Sequence, residues 1–287
     1  MTSLLLTPIA LVRRHLLGPL RSDRSPLEGR RVVITGASSG IGEASAYAVA
    51  RRGARVELVA RRDEELQRVV AAIRADGGQA SAHAVDLTDA GAVEGLVEEL
   101  LAEGPVDYLV NNAGRSIRRS LELSADRMHD FERTMAINYF APVRLTMGLL
   151  PAMREQRFGH VVNVVTWGVQ MKAPKFAAYI ASKAALDTFA RIAGREAWED
   201  NVTFTNIRFG LVRTPMVAPT EAYAKAPAET PEQAAAKVVR ALEDRPLTIN
   251  TVAGSLGEVF NLVAPRLSDR LFAAFDKRFP DSAAARR

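Results

Sequence analysis

Short apolar runs alternate along the middle of this chain with longer segments whose apolar positions recur every three to four residues. Arg31–Thr35, Arg55–Val59, Ala80–Val85, Val106–Val110, His160–Val165 and Val202–Arg208 are rich in β-branched residues and bounded by turn formers, so each reads as a strand. Leu247–Val252 reads as a last one. Between them Ile41–Arg52, Asp63–Ala75 and Ala90–Ala102 carry helical periodicity. Strand, helix, strand repeated in this way predicts an α/β protein with a parallel sheet covered on both faces. Right-handed crossovers then make the sheet doubly wound, with ligands at the carboxyl ends of its strands. Pro215–Thr230 reads as a loop whose position makes it a candidate lid.

The pattern changes after Gly254. Leu256, Val259, Phe260, Val263, Leu267, Leu271, Phe275 and Phe279 fall at near-helical spacing, with a break at Pro265. Two amphipathic helices are expected there, to cover a cleft, pack on a partner subunit or touch lipid. The expected organisation is an apolar and basic arm over residues 1–26, a single domain over 27–253 and an extension over 254–287.

Composition removes several functions. The chain has 287 residues and no cysteine, which excludes disulfides, thiolate nucleophiles and thiolate zinc sites. Its four histidines, His15, His83, His129 and His160, lack ligand spacing, so no metal is expected. The net charge of +5 owes much to arginines near the two ends, which suit an anionic ligand, a membrane surface or a solubilising exterior. No nucleic-acid module accompanies them. The apolar run Leu4–Val12 is too short to span a bilayer, contains Pro8 and lacks signal-peptide flanks. A cytoplasmic protein is expected. The arm reads either as a peripheral membrane contact or as a segment packed on protein surface.

The first strand runs into VVITGASSGIG, Val32 to Gly42, which has two parses. Gly36-x-Ser38-x-Gly40 fits the elbow that presents a nucleophilic serine in α/β-hydrolases. The same residues fit a turn that cradles a dinucleotide pyrophosphate. The elbow needs an oxyanion loop upstream, where nothing resembles one, and has no use for Gly42. The cradle uses all three glycines: Gly36 for a tight turn, Gly40 for close approach of phosphate to backbone N–H groups, and Gly42 for close packing of the following helix. The helix N-terminus adds unpaired donors and partial positive charge.

Further along, Tyr179 and Lys183 stand four apart in a helical stretch and share a face. Thr166 ends a strand, Asn111–Gly114 (NNAG) ends another, and Asn138 lies in a helical segment between them. With TGASSGIG, Asp86-Leu87 and the turn Gly210–Thr214, these motifs occur in an order that resembles the short-chain dehydrogenase/reductase family, over Leu27 to Val252.

The resemblance implies a Rossmann-type fold and reversible hydride transfer between a nicotinamide and a carbonyl or alcohol. It makes Tyr179 the proton donor in reduction and the base in oxidation, with the Lys183 ammonium and the positive charge of the oxidised nicotinamide expected to stabilise tyrosinate. Lys183 also holds the nicotinamide ribose, and Asn138 holds a relay water. Thr166 stands at the family's usual serine and keeps the hydroxyl that orients the carbonyl. Phe209 stands at the usual proline, which puts the geometry of the turn after it in question, and Trp167 belongs to the substrate pocket or the core. Cofactor contacts are implied for Gly36, Ser38, Ser39, Gly40, Ile41, Gly42, Asp86, Leu87, Asn112, Ala113, Gly114, Val212 and Thr214. Where an acidic residue would meet the adenosine ribose stands Ala60, followed by Arg61 and Arg62, which predicts NADP(H) through a charge-assisted contact to the 2′-phosphate. Arg61 is the first choice and Arg62 the second; Glu57 lies mid-strand, away from the ribose.

The tail Ala264–Arg287 resembles tails of bacterial members acting on lipid or acyl substrates. An NADPH-dependent ketone reductase of an apolar substrate, or the reverse alcohol dehydrogenase, is the first expectation, a fatty acyl-thioester reductase the second, and a non-catalytic NADP(H)-binding protein the third. The family's habit implies a homo-oligomer.

Overall fold

The structure is a computed structural model and describes residues 25–218, 223, 226–278 and 280–286. The arm up to Arg24, part of the expected lid (219–222 and 224–225), Phe279 and Arg287 lie outside the described residues. Seven parallel strands form one sheet: β1 (Arg31–Thr35), β2 (Arg55–Ala60), β3 (Gln79–Ala84), β4 (Tyr108–Asn111), β5 (Gly159–Thr166), β6 (Val202–Phe209) and β7 (Thr248–Ile249), in the order β3-β2-β1-β4-β5-β6-β7. Helices α1 (Gly40–Ala50), α2 (Asp63–Ala75) and α8 (Pro231–Asp244) cover one face; α3 (Ala90–Ala102), α5 (Ala141–Glu155) and α7 (Ala177–Glu196) cover the other.

The continuous apolar runs follow from this double cover. Val32 and Ile34 pack with Val56, Leu58 and Val238, while Val33 between them packs with Leu109, Val161 and Leu145. Alternate residues of one strand thus feed opposite layers. Within the α3 side sits a charged group. Arg31 Nε donates to Glu57 Oε1 at 2.7 Å, and His83 Nε2 lies 3.1 Å from Glu57 Oε2. Burial opposes ionisation of Glu57, but the hydrogen bonds from His83 and Arg31 outweigh it and hold the carboxyl at about 2. The Glu57 hydrogen bond raises His83 above its ordinary value.

The order in which strands are added to the sheet reverses between β1 and β4. β1 leads outward to β2 and β3, and the chain then crosses to β4 on the other side. That switch opens a crevice beyond the carboxyl ends of β1 and β4.

The last strand differs from expectation. It ends at Ile249, because Thr251 Oγ1 accepts from Gly254 N at 3.0 Å and caps α9 (Val252–Val263). Val252 therefore belongs to a helix. α10 (Pro265–Arg278) follows with proline at its first position, so the expected break at Pro265 is a helix start.

Candidate active site

The turn after β1 is shaped by what its neighbours leave no room for. Gly36 and Gly40 have φ of +67° and +58°. A Cβ on Gly42 would lie 2.2 Å from the Gly36 carbonyl oxygen, so α1 packs on the turn's own backbone. Asn112 Nδ2 donates to the Thr35 carbonyl at 2.9 Å, and Thr35 Oγ1 accepts from the backbone N–H groups of Asn112 and Ala113, both at 3.0 Å. Thr35 and Asn112 therefore join the turns beyond β1 and β4 into one floor. Thr35 was not singled out from the sequence, although it opens the TGASSGIG motif. Ser39 is the N-cap of α1 and makes no side-chain cap bond, which leaves the first-turn N–H groups, including those of Ile41 and Gly42, to face an anion.

Ser38 does not sit in a hydrolase elbow. Its Oγ accepts from Arg62 Nη2 at 3.4 Å, and a guanidinium cannot take a proton from a nucleophile. Arg61 and Arg62 are both exposed at the carboxyl end of β2. Asp86 is held below its ordinary value by hydrogen bonds from Thr88 and, less strongly, by the charge of Arg61. Leu87 is buried beside it. Across the crevice Thr214 faces Gly40, whose missing Cβ would lie 3.1 Å from Thr214 Cγ2. Val212 is buried and bridges Glu229, and Arg213 N and Glu229 N complete that short parallel ladder at 2.9 Å each. Phe209 leaves the backbone regular. β6 runs through it, its ring is buried, and its carbonyl accepts from Trp167 N at 2.8 Å. Trp167 is half-buried at the N-cap of α6 (Gly168–Met171).

Asn138 sits in a π turn, Ala136–Phe140, between α4 (Met128–Met135) and α5. Its Oδ1 accepts from Arg115 N at 2.8 Å, and its Nδ2 donates to Arg115 O at 2.8 Å and Ser182 Oγ at 3.0 Å. Both amide hydrogens are committed. Pro142, four residues on, has no N–H to offer the Asn138 main-chain carbonyl. Ser182 is a second residue that sequence reasoning missed, although it lies inside YIASK.

Gly114 brings the polar groups together. A Cβ there would lie 2.9 Å from Asn138 Oδ1 and 3.3 Å from Lys183 Nζ. Lys183 Nζ donates to the Val164 carbonyl at 2.8 Å, and burial lowers its pKa to about 8. Burial pushes Tyr179 up to about 12; a hydrogen bond with Thr166 works against that, and the nearby Tyr223 adds to it. Lys183 adds no lowering of the phenol in the unliganded chain. Desolvation disfavours tyrosinate, and the ammonium is turned to a backbone carbonyl. Thr166 Oγ1 accepts from Gly168 N at 3.1 Å, which leaves its hydroxyl hydrogen for the phenol or a substrate oxygen.

Two features around the site were invisible in the sequence. The first is a line of buried amides under the sheet's carboxyl edge. Asn111 Nδ2 donates to Asn163 Oδ1 at 2.9 Å, Asn163 Nδ2 to Asn206 Oδ1 at 3.1 Å, and Asn206 Nδ2 to Asp187 Oδ1 at 3.0 Å. Asp187 lies one turn beyond Lys183 and pairs with Arg208. The second is a clasp made by the C-terminal extension. Gln170 Nε2 donates to Glu258 Oε2 at 2.7 Å, and Asn261 Nδ2 donates to the Gln170 carbonyl at 2.8 Å. Lys175 pairs with Asp276. Arg118 and Arg119 donate to the carbonyls of Pro280 and Ala285 at 3.0 and 2.8 Å. The extension thus grips both loops that border Tyr179, the one after β4 and the one before α7. No cluster fit for a metal occurs among the described residues. None of the described helices is long and apolar enough to cross a membrane.

Comparison with known proteins places this geometry. A family profile described as short chain dehydrogenase matches residues 30–225. An uncharacterized oxidoreductase of Mycobacterium tuberculosis is 46% identical over 93% of this chain and 79% of its own. A fatty acyl-CoA reductase of Acinetobacter baylyi is 46% identical over 91% of this chain and 89% of its own. The crystal structure of a metagenomic short-chain oxidoreductase in complex with NADP superposes with a TM-score of 0.66 at 33% identity, covering 76% of this chain and 92% of that one.

Proposed function

The chain belongs to the short-chain dehydrogenase/reductase family of NAD(P)-dependent oxidoreductases, and on that premise we propose that it uses NADP(H) to reduce the carbonyl of a fatty acyl thioester. The observation that carries the acyl reading is the 46% identity to a fatty acyl-CoA reductase over nearly the full length of both chains. The site's geometry carries the redox reading. The crevice fits a dinucleotide: its glycine floor has no space for side chains, and an uncapped helix end faces it. Gly36, Ser38, Ser39, Gly40, Ile41 and Gly42 would hold the pyrophosphate. Asp86, Leu87, Asn112, Ala113 and Gly114 would line the adenosine and ribose side. Val212 and Thr214 would meet the nicotinamide amide.

Arg61 and Arg62 would take the 2′-phosphate. The Arg62 bond to Ser38 brings that side chain to the cradle rim, which supports Arg62 as a partner to Arg61 there. When bound, the nicotinamide supplies a hydride to the carbonyl carbon. Tyr179, a neutral phenol with a pKa of about 12, gives the carbonyl oxygen its proton. Thr166 holds that oxygen beside it. The resulting hemithioacetal breaks its C–S bond to release aldehyde and thiol. Lys183 keeps donors for the ribose hydroxyls, and the relay water sits on the main-chain carbonyl of Asn138, whose amide is already spent as a brace. A homo-oligomer would use the open apolar groove of about 740 Å³ between α5 and α7, which includes Met147, Phe189 and Ile192.

The test is NADPH oxidation against long-chain acyl-CoA, matching aldehyde and matching ketone, with NADH in parallel. Acyl-CoA consumption with NADPH preferred is expected. Tyr179→Phe should cut kcat by about 10²–10⁴-fold while leaving NADPH affinity within about threefold. Turnover of the ketone alone would leave a ketone reductase in its place.

A further inference from the structure

Two consecutive helices of the extension leave apolar faces in water. On α9, Val252, Leu256, Val259 and Val263 lie within one stripe and are 52–77% exposed, and Leu262 beside them is 83% exposed. On α10, Leu267 and Leu271 are 51% and 55% exposed. The two faces meet at the Ala264–Pro265 junction, where Leu262, Val263 and Leu267 are all open to solvent. Soluble surfaces rarely show so much contiguous aliphatic area without a use for it.

The charges around these faces select the occupant. At 100° per residue, Arg278 falls within the α10 stripe, and Arg270 and Lys277 flank it by about a quarter turn. Asp269 and Asp276 fall on the opposite side, and Asp276 is turned to Lys175 of the protein body. The one acid of α9, Glu258, points to Gln170 and Arg208. An aliphatic face with cations along one edge of its second helix and its acids turned away is the pattern of a helix that lies in a lipid interface. A second copy of the chain docking face to face would set these cations against each other. It has the separate groove between α5 and α7 for association.

We propose that α9 and α10 form a docking surface for an anionic lipid bilayer, with the stripe sunk among the acyl chains and Arg270, Lys277 and Arg278 at the phosphates. Because the same extension clasps the loops beside Tyr179, docking sets the mouth of the site against the membrane. The inference needs no particular substrate, so its test requires no turnover.

The experiment is flotation of the full chain with phosphatidylcholine vesicles, with and without phosphatidylglycerol. Co-flotation with the anionic vesicles is expected. Leu256→Asp with Leu262→Asp should reduce it at least about tenfold. The circular dichroism spectrum and NADPH affinity should be unchanged, because both positions face solvent. Arg270→Gln with Lys277→Gln should remove the preference for anionic over neutral vesicles and keep the helices. Unchanged flotation of the Leu256/Leu262 variant would overturn the proposal and leave any binding to another part of the chain. A smaller sedimentation mass for that variant, with partition unaltered, would overturn it in favour of a second copy.

Discussion

The nucleotide side of the crevice and its substrate side are built on different principles. On the nucleotide side every decisive contact involves backbone at close quarters: Gly42 against the Gly36 carbonyl, and the amides of Asn112 and Ala113 on the Thr35 hydroxyl. On the substrate side they are side-chain contacts between distant segments, such as Gln170 with Glu258 and Arg119 with Ala285, 88 and 166 residues apart. The first kind tolerates almost no substitution. The second sets the mouth of the site by several separable polar contacts, so it can be altered stepwise without disturbing the floor.

The sharpest way to break that contrast is Gly42→Ala. The added methyl has nowhere to go at 2.2 Å from a backbone oxygen, so NADPH affinity should fall by about 100-fold or more, read by fluorescence titration. Gly95→Ala, in α3 with nothing within 4 Å, should instead raise stability by up to about 1 kcal/mol. Equal effects at the two positions would dissolve the distinction. The clasp comes next. Lys175→Met with Gln170→Leu removes two of its holds and should raise KM for the acyl thioester by roughly five- to tenfold, with the NADPH dissociation constant unchanged. A matching loss of NADPH affinity would mean that the two sides are one unit.

The smallest effect comes from the charged group inside the sheet, away from the crevice. His83 has a raised folded pKa, so its contribution is complete below its ordinary value near 6.5 and is lost as pH rises through the folded value. Glu57 is depressed to about 2, so its contribution is present above its ordinary 4.5 and is lost as pH falls from there toward 2. Melting temperature should therefore decline gently on the alkaline side, and His83→Gln should flatten that limb and, by removing the charged donor that lowers Glu57 most, shift the acidic limb toward higher pH.

The same contrast explains what could be read from the chain. Strands β1, β2, β5 and β6 begin or end within a residue of their expected bounds, because double-sided burial writes an unbroken β-branched run. The glycine turn, Asn112, Asn138, Thr166, Tyr179 and Lys183 come together in the structure because each sits at the carboxyl end of a strand or on a helix beside it. The end of β7 was misjudged because the Thr251 cap competes with strand propensity, and a threonine suits both. Spacing reveals that a lysine shares the face of Tyr179, but not that its Nζ points to the Val164 carbonyl or that burial raises the phenol of the unliganded chain. The clasp left no local signal at all.

The row of amides from Asn111 to Asp187 has one more consequence. A carboxylate only accepts, so Asn206 must offer it hydrogens; Asn206 then presents its oxygen to Asn163, and Asn163 presents its own to Asn111. One residue on the helix that carries Lys183, through its carboxylate and its main-chain carbonyl, sets which way three side chains face across three strands, like a rank of switches thrown by one lever. The unmet valence is pushed to the far end, at Asn111 Oδ1, the member of the row directly before the Asn112 turn. Neutralising Asp187 would leave its main-chain carbonyl as the one acceptor holding that order, and any loosening would be felt along the row as far as the Asn112 turn.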